Sequence, residues 1–256
     1  MTLYKGDCLE VMKSIPDGSI DAIITDTPYG TTACKWDSVI PFEPMWEQLN
    51  RIIKPNGAIV LFGSEPFSSA LRMSNIKNYK YDWVWNKSKS SNFMQLKRQP
   101  ARVVENIIVF NTVQYIPQME LAEEKNKRPR HNKKDSKAVV KTLSNTYGTN
   151  ERYTSDNHNE DLRYPKNIIN IKSTEKECNN TKRVHSTQKP IALMEYLIKT
   201  YTNENETVLD FTMGSGSTGV AAKNLNRNFI GIEQDEKYFK IAEERINKQE
   251  KQLKIL

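Results

Sequence analysis

The sequence predicts an α/β fold built on a mostly parallel sheet. Short, wholly apolar runs alternate with longer amphipathic stretches, which is the pattern of buried parallel strands joined by crossover helices. The apolar runs are bounded by Gly, Pro, Asn and Asp, and the alternation occurs at both ends of the 256-residue chain. Between the two ordered ends lies a long polar stretch with little periodicity.

Taken in order, Asp21 to Asp26 is a short apolar run closed by a carboxylate, and reads as a buried strand. Phe42, Met45, Trp46, Leu49, Ile52 and Ile53 share one helical face, with Pro44 near the helix start and Lys54-Pro55-Asn56-Gly57 as its stop. Ala58 to Phe62 is a second buried strand. Tyr81–Trp85 and Val103–Phe110 are two more, and Pro66–Ile76 is helical before them. Order returns near Thr187. Pro190 opens a helix with Ile191, Met194, Leu197, Ile198 and Tyr201 on its apolar face, and Thr207–Asp210 is a strand followed at once by a Gly-rich turn. A helix follows around Val220, then a strand from Asn228 to Glu233, then a charged amphipathic helix from Asp235 to Leu256. These boundaries predict a domain made of residues 1–110 and 183–256, interrupted by an insertion at 111–182.

Composition narrows the function. The chain carries 38 Lys+Arg against 31 Asp+Glu, a formal net charge of +7, and residues 111–185 hold 15 Lys+Arg against 10 Asp+Glu. This favours a polyanionic partner, and the cluster Lys127, Arg128, Arg130, Lys133 and Lys134 is its candidate contact. No apolar run approaches the length of a membrane span, and the N-terminus lacks an apolar signal core, so no membrane association is expected. Three scattered cysteines and three scattered histidines argue against a disulfide framework and against a metal site, and point to a reducing, cytoplasmic compartment.

Two segments carry chemistry. In Val208-Leu209-Asp210-Phe211-Thr212-Met213-Gly214-Ser215-Gly216, a strand gives way to a Gly-rich turn and a helix. Such a turn lets a ligand approach the backbone and presents free helix N–H groups. Glu233 ends the next strand, where an acidic residue accepts hydrogen bonds from ribose hydroxyls. No Gly-Lys-Ser/Thr follows, so the turn is not a phosphate loop. The second segment, Asp26-Thr27-Pro28-Tyr29, lies just past a buried strand. By itself it reads as an ordinary turn, but it sets an acceptor, a stiffened backbone and an aromatic plate side by side at the carboxyl edge of the sheet.

Asp26-Thr27-Pro28-Tyr29, Thr187-Gln188-Lys189-Pro190 and Asp210 to Gly216, in that order, closely resemble the amino-methylating DNA methyltransferases of the β group. The resemblance covers roughly residues 1–110 and 183–245. It implies a Rossmann-like methyltransferase fold with helices on both faces of the sheet, and S-adenosylmethionine as cofactor. It implies methylation of an exocyclic amino group on a base flipped from double-stranded DNA, with the polar insertion as target-recognition region. Asp26 and the Thr27 carbonyl would accept the hydrogens of that amino group, Pro28 would hold the turn, and Tyr29 would stack on the base. Asp7 would lie beside the cofactor adenine, Gly214 and Gly216 would admit its methionine part, Lys189 would lie near its carboxylate, and Glu233 would take the ribose. Two positions depart from the family pattern. Thr27 replaces a proline where only a backbone carbonyl is needed. Asp210-Phe211-Thr212 replaces Asp-Pro-Phe, which displaces the aromatic by one place.

Asp26 favours adenine N6 as the target, since the resembling cytosine enzymes more often carry Ser there; cytosine N4 is the alternative. RNA or protein-amide methylation, or a cofactor-binding nucleic-acid module without catalysis, are further alternatives. A homodimer and a restriction endonuclease partner are implied by the resemblance alone. Trp85 reads as core ahead of a stacking role, and the three cysteines as bystanders.

Overall fold

The computed structural model describes residues 1–31, 37–90, 92–112, 114–121, 141–144, 148–151, 162–173 and 188–253. They form two units, Met1–Ile116 with Lys166–Leu256, and Pro117–Pro165. The strands are β1 (Thr2–Lys5), β2 (Ile20–Thr25), β3 (Ile53–Gly63), β4 (Tyr79–Asn86), β5 (Val104–Phe110), β6 (Glu120–Leu121), β7 (Lys141–Ser144), β8 (Gly148–Glu151), β9 (Leu162–Arg163), β10 (Ile168–Asn170), β11 (Thr207–Asp210) and β12 (Asn228–Glu233). The helices are α1 (Cys8–Met12), α2 (Phe42–Ile52), α3 (Phe67–Ser74), α4 (Ile191–Tyr201), α5 (Ser217–Asn224) and α6 (Glu236–Leu253).

The large unit is an eight-stranded sheet in the order β1-β12-β11-β2-β3-β5-β4-β10. Strand β5 runs antiparallel to both its neighbours, and the other adjacent pairs are parallel. Alternate residues feed opposite faces, as the two-residue period of a strand requires. On one face Ala22, Ile24, Val60, Phe62 and Val109 pack with Leu193, Leu197 and Ile198 of α4, Val220 of α5 and Ile246 of α6. On the other, Ile23, Ile59, Leu61, Ile108 and Leu209 pack with Met12 of α1, Met45 and Leu49 of α2 and Leu71 of α3. Helices therefore cover both faces, and the central strands are apolar throughout because neither face meets water.

The structure departs from the sequence reading in three places. Ile168–Asn170, expected within the insertion, is β10, the parallel neighbour of β4. Its three residues are too few to show a period. Helix α1 was not expected: it is one turn long, and the Asp7 side chain caps it by accepting from the backbone N–H groups of Leu9 (2.9 Å) and Glu10 (3.3 Å). Finally, Lys54–Gly57 ends α2 without forming a separate turn, because the chain enters β3 directly at Ile53.

In the small unit β6 pairs antiparallel with β9, and β7 with β8. The cluster Lys127, Arg128, Arg130, Lys133 and Lys134, expected to contact DNA, lies outside the described residues. Among the described residues no helix is long and apolar enough to cross a membrane, and no group of His, Cys, Asp and Glu is arranged to hold a metal ion.

Candidate active site

A cleft of about 1120 Å³ opens where the parallel strands end at their carboxyl edge. Its lining includes Asp7 after β1, Asp26 to Tyr29 after β2, Lys87 after β4, Asp210 at the end of β11 with Phe211 to Ser215 after it, and Glu233 at the end of β12. Because β5 is antiparallel, its first residues, not its last, reach this edge. That reversal brings Glu105 to the cleft.

Four side chains from three separate stretches meet at the Asp26–Tyr29 motif. Lys189 Nζ donates to Asp26 Oδ2 at 2.6 Å and to Glu105 Oε1 at 3.1 Å. The Tyr29 hydroxyl lies 2.6 Å from Asp26 Oδ1 and 2.7 Å from Glu105 Oε1. One phenol proton can serve only one of these carboxylates at a time. Two acids then share one cation and one phenol proton, with Lys87 3.7 Å from the far oxygen of Glu105.

The electrostatics separate the two acids. Burial, seconded by the charge of Glu105, pushes the Asp26 carboxyl above its ordinary value in spite of Lys189. Burial works in the same sense on Glu105, but Lys189 and Lys87 outweigh it and hold that carboxyl below the usual range. Lys189 is only 6% exposed. Burial favours its neutral form, yet Asp26 and Glu105 outweigh it and keep the ammonium charged. Its Nζ also lies 4.9 Å from the centre of the Phe62 ring. Burial and the two acids raise the Tyr29 phenol well above its ordinary value, so it remains a donor.

The backbone of the motif is fixed from both sides. Asp37 accepts from the N–H groups of Tyr29 (2.8 Å), Gly30 (2.9 Å) and Thr31 (2.9 Å). Gly30 has a φ of +67°, and a side chain there would meet Val39 at 2.8 Å. The Tyr29 ring stacks on Phe67, with centroids 5.1 Å apart. Thr27 is 4% exposed, and its hydroxyl has no hydrogen-bond partner among the described residues.

The second motif is tied to the first. Asp210 accepts from Thr25 Oγ1 at 2.5 Å and from Thr218 Oγ1 at 2.6 Å. Thr212 Oγ1 lies 2.8 Å from Thr25 Oγ1 and donates to the Asp26 carbonyl at 3.2 Å. The turn after β11 is thereby locked to the end of β2. Both oxygens of Asp210 are engaged by the chain itself, and burial raises this carboxyl to about 6 against the hydrogen bonds of Thr218 and Thr25. Phe211 is 1% exposed and packs in the core face that contains Ile23 and Leu209.

The two expected cofactor glycines differ. Gly214, at φ +50°, has nothing within 4 Å of where a side chain would begin, and it lines the cleft. Gly216, at φ +79°, does not line it: a side chain there would come within 2.9 Å of Ala242 Cβ in α6. Gly216 thus has a packing role in this structure. Its lack of a side chain lets α6 close against the turn. Lys189, expected near the cofactor carboxylate, lines the cleft with its ammonium on Asp26 and Glu105.

Glu233 accepts from Gly214 N–H (2.9 Å) and Asp235 N–H (2.8 Å), and burial raises its carboxyl against those bonds. Each oxygen keeps a lone pair for a further donor such as a ribose hydroxyl. Ser217, 6% exposed on the cleft wall at the first residue of α5, has a hydroxyl without a hydrogen-bond partner among the described residues. Asp7 lines the cleft with one oxygen already capping α1. Open space at Gly214, a pair-accepting carboxylate and an unpaired buried hydroxyl suit a nucleoside-type ligand. Trp85 is 2% exposed and donates to the Ile171 carbonyl at 2.7 Å, so it is a core residue. Cys8 is held as a neutral thiol, pushed up to about 12 by burial and by Asp7.

Sequence reasoning missed Glu105 and Asp37. Glu105 left one signal, the only acid in a strand that is mostly apolar. Asp37 left none.

Known proteins resemble this chain in sequence and in fold. The type II methyltransferase M.HinfI of Haemophilus influenzae is 29% identical over 282 residues, spanning 96% of this chain and 68% of the relative. M.HpaI of Haemophilus parainfluenzae is 27% identical, spanning 96% and 74%. The crystal structure of the M1.HpyAVI–SAM complex superposes with a TM-score of 0.60 at 28% identity, covering 96% of this chain and 98% of that one. The cytosine-N4-specific PvuII DNA methyltransferase shares the fold, with a TM-score of 0.66 at 17% identity over 95% and 85% of the two chains. The N6_N4_Mtase model of DNA methylases matches residues 20–244, which takes in both motifs and every strand of the large sheet except β1, and to this family of DNA methylases the chain belongs.

Proposed function

We propose that this DNA methyltransferase transfers a methyl group from S-adenosylmethionine to the N6 amino group of an adenine flipped out of duplex DNA at a specific site. The observation that carries the reading is Asp26, held by Lys189 and Tyr29 at the floor of the cleft and joined through Thr212 to the turn of the second motif. When bound, S-adenosylmethionine supplies an activated sulfonium methyl. Glu233 would hold its ribose, with the space at Gly214 and the Ser217 hydroxyl beside it; these features fit the group.

An exocyclic amino group is a poor nucleophile because its lone pair is delocalised into the ring. Asp26 and the Thr27 carbonyl would each accept one of its hydrogens, which localises the lone pair on nitrogen. The partners of Asp26 fix the direction of this acceptor, and Thr212 fixes the distance between the two motifs, so that much of the work is positioning. Tyr29, backed by Phe67, would replace the stacking lost when the base leaves the duplex. As the methylated nitrogen sheds its proton, the nearest acceptor is Asp26, whose raised pKa suits it to take that proton.

The test is a modification map of DNA from cells expressing the protein, by a method that separates N6-methyladenine from N4-methylcytosine. Methylated adenine in one short motif is the expected result. Methylated cytosine would transfer the same residues to the N4 reaction, a reading supported by the family's span of both bases. Unmodified DNA would overturn both.

A further inference from the structure

The segment joining β4 to β5, residues 87–103, is not used by the mechanism above. It contains Lys87, Lys89, Lys97, Arg98 and Arg102 and no Asp or Glu. Lys89, Lys97 and Arg98 are exposed. So are two apolar side chains, Met94 at 86% and Leu96 at 49%. Lys89, Met94 and Gln95 line the mouth of the same cleft that holds Asp26.

This segment is braced. Asn92 donates to the Pro100 carbonyl at 3.0 Å and accepts from Arg102 N–H at 2.7 Å and from Ser90 Oγ at 2.7 Å, which closes the base of the loop. At its tip Gln95 N–H donates to the Asn92 carbonyl at 2.9 Å, and Arg98 N–H to the Gln95 carbonyl at 2.8 Å. The side chain of Asn92 thus does the tying, and Met94 and the cations project from a fixed frame.

We infer that residues 87–103 form a duplex-docking element within the catalytic unit: Lys89, Lys97 and Arg98 take backbone phosphates, and Met94 enters the base stack where the target base departs. The inference rests on the proposed DNA reaction and adds a contact surface to it. A base reaching Asp26 from a duplex must pass the cleft mouth, and its flanking phosphates must come to rest there. A segment with five cations and no acid is complementary to them. Met94 is the most exposed large apolar side chain among the described residues. An unbranched, adaptable apolar side chain beside cations is the composition of a wedge that fills an opened base step.

The test uses the full chain and a duplex carrying the motif from the modification map. With Lys97→Ala/Arg98→Ala, the slope of log Kd against log salt should fall by about two, close to one per lost phosphate contact. With Met94→Ala, turnover on the paired duplex should fall about tenfold, with cofactor affinity intact. That loss should disappear on a duplex with an abasic site opposite the target base, where unpairing costs little. An unchanged salt slope, or a Met94→Ala defect equal on both duplexes, overturns the inference while wild-type turnover leaves the DNA reading standing. A wild-type chain that neither binds nor methylates the duplex overturns both.

Discussion

The Lys189 ammonium lies 2.6 Å from the Asp26 carboxylate, 163 residues away in the chain. The two belong to the motifs that bracket the chain's polar middle, and their contact sets Lys189 beside Asp26 in the cleft. Removing one partner of a buried ion pair leaves an uncompensated charge, here two acids facing one phenol. Lys189→Met should therefore cost about 3–5 kcal/mol of stability and abolish turnover. Cofactor affinity separates this role from that of a carboxylate ligand: it should hold in the variant once the folded fraction is corrected for, as isothermal titration would show. A Kd for S-adenosylmethionine that rises in step with the loss of turnover would return Lys189 to the cofactor.

How much of this was legible beforehand depends on the range of the contacts. The strands of the central sheet were legible because both faces are buried and their apolar runs are unbroken, as at Ala58 to Phe62. The Asp26 and Glu233 positions were legible because each sits one step from such a run. Glu105 was not, since its role exists only once the antiparallel course of β5 turns its first residues toward Lys189, 84 positions on. Gly214 and Gly216 look alike in sequence. Only the packing of α6 distinguishes them, through Ala242.

The acid limb of activity should report the coupling of the two carboxylates. Asp26 is the stronger acceptor when ionised, with both oxygens free of a proton, and burial together with the Glu105 charge raises its pKa. Turnover should therefore fall on acidification at a pH above the ordinary carboxylate range. Glu105→Gln removes the like charge and leaves a hydrogen-bonding group for Tyr29 and Lys189. The acid limb should then move to lower pH, even if the maximal rate drops. A pH–kcat profile measured under saturating substrates checks the sign; a limb that stays in place would mean that Glu105 does not act on Asp26.

The two glycines of the cofactor turn should fail differently. Gly216→Ala meets both a left-handed backbone and the Ala242 side chain, and should lose about 3 kcal/mol of stability. Gly214→Ala bears only the backbone cost of about 1 kcal/mol, since open space surrounds it. Its new methyl projects toward the cleft, so it should weaken cofactor binding several-fold at nearly normal melting temperature. Melting curves with and without S-adenosylmethionine would reveal the crossover, and equal effects at both positions would count against the assignment.

Asp210 gives a prediction in pH and stability together. Burial raises its carboxyl from an unperturbed 3.8 to about 6. The folded state thus holds the proton more tightly than the unfolded chain does. The protonated form's advantage is complete below about 3.8, and it is lost as pH rises through about 6. That rise corresponds to about 3 kcal/mol. Asp210→Asn keeps a hydrogen-bonding side chain at the junction of Thr25, Thr218 and the turn but cannot ionise. Its melting temperature relative to wild type should therefore rise between pH 4 and pH 7, whatever the absolute offset caused by the new amide. A difference that is flat across that interval would mean that the Thr25 and Thr218 hydroxyls stabilise the carboxylate enough to cancel its burial.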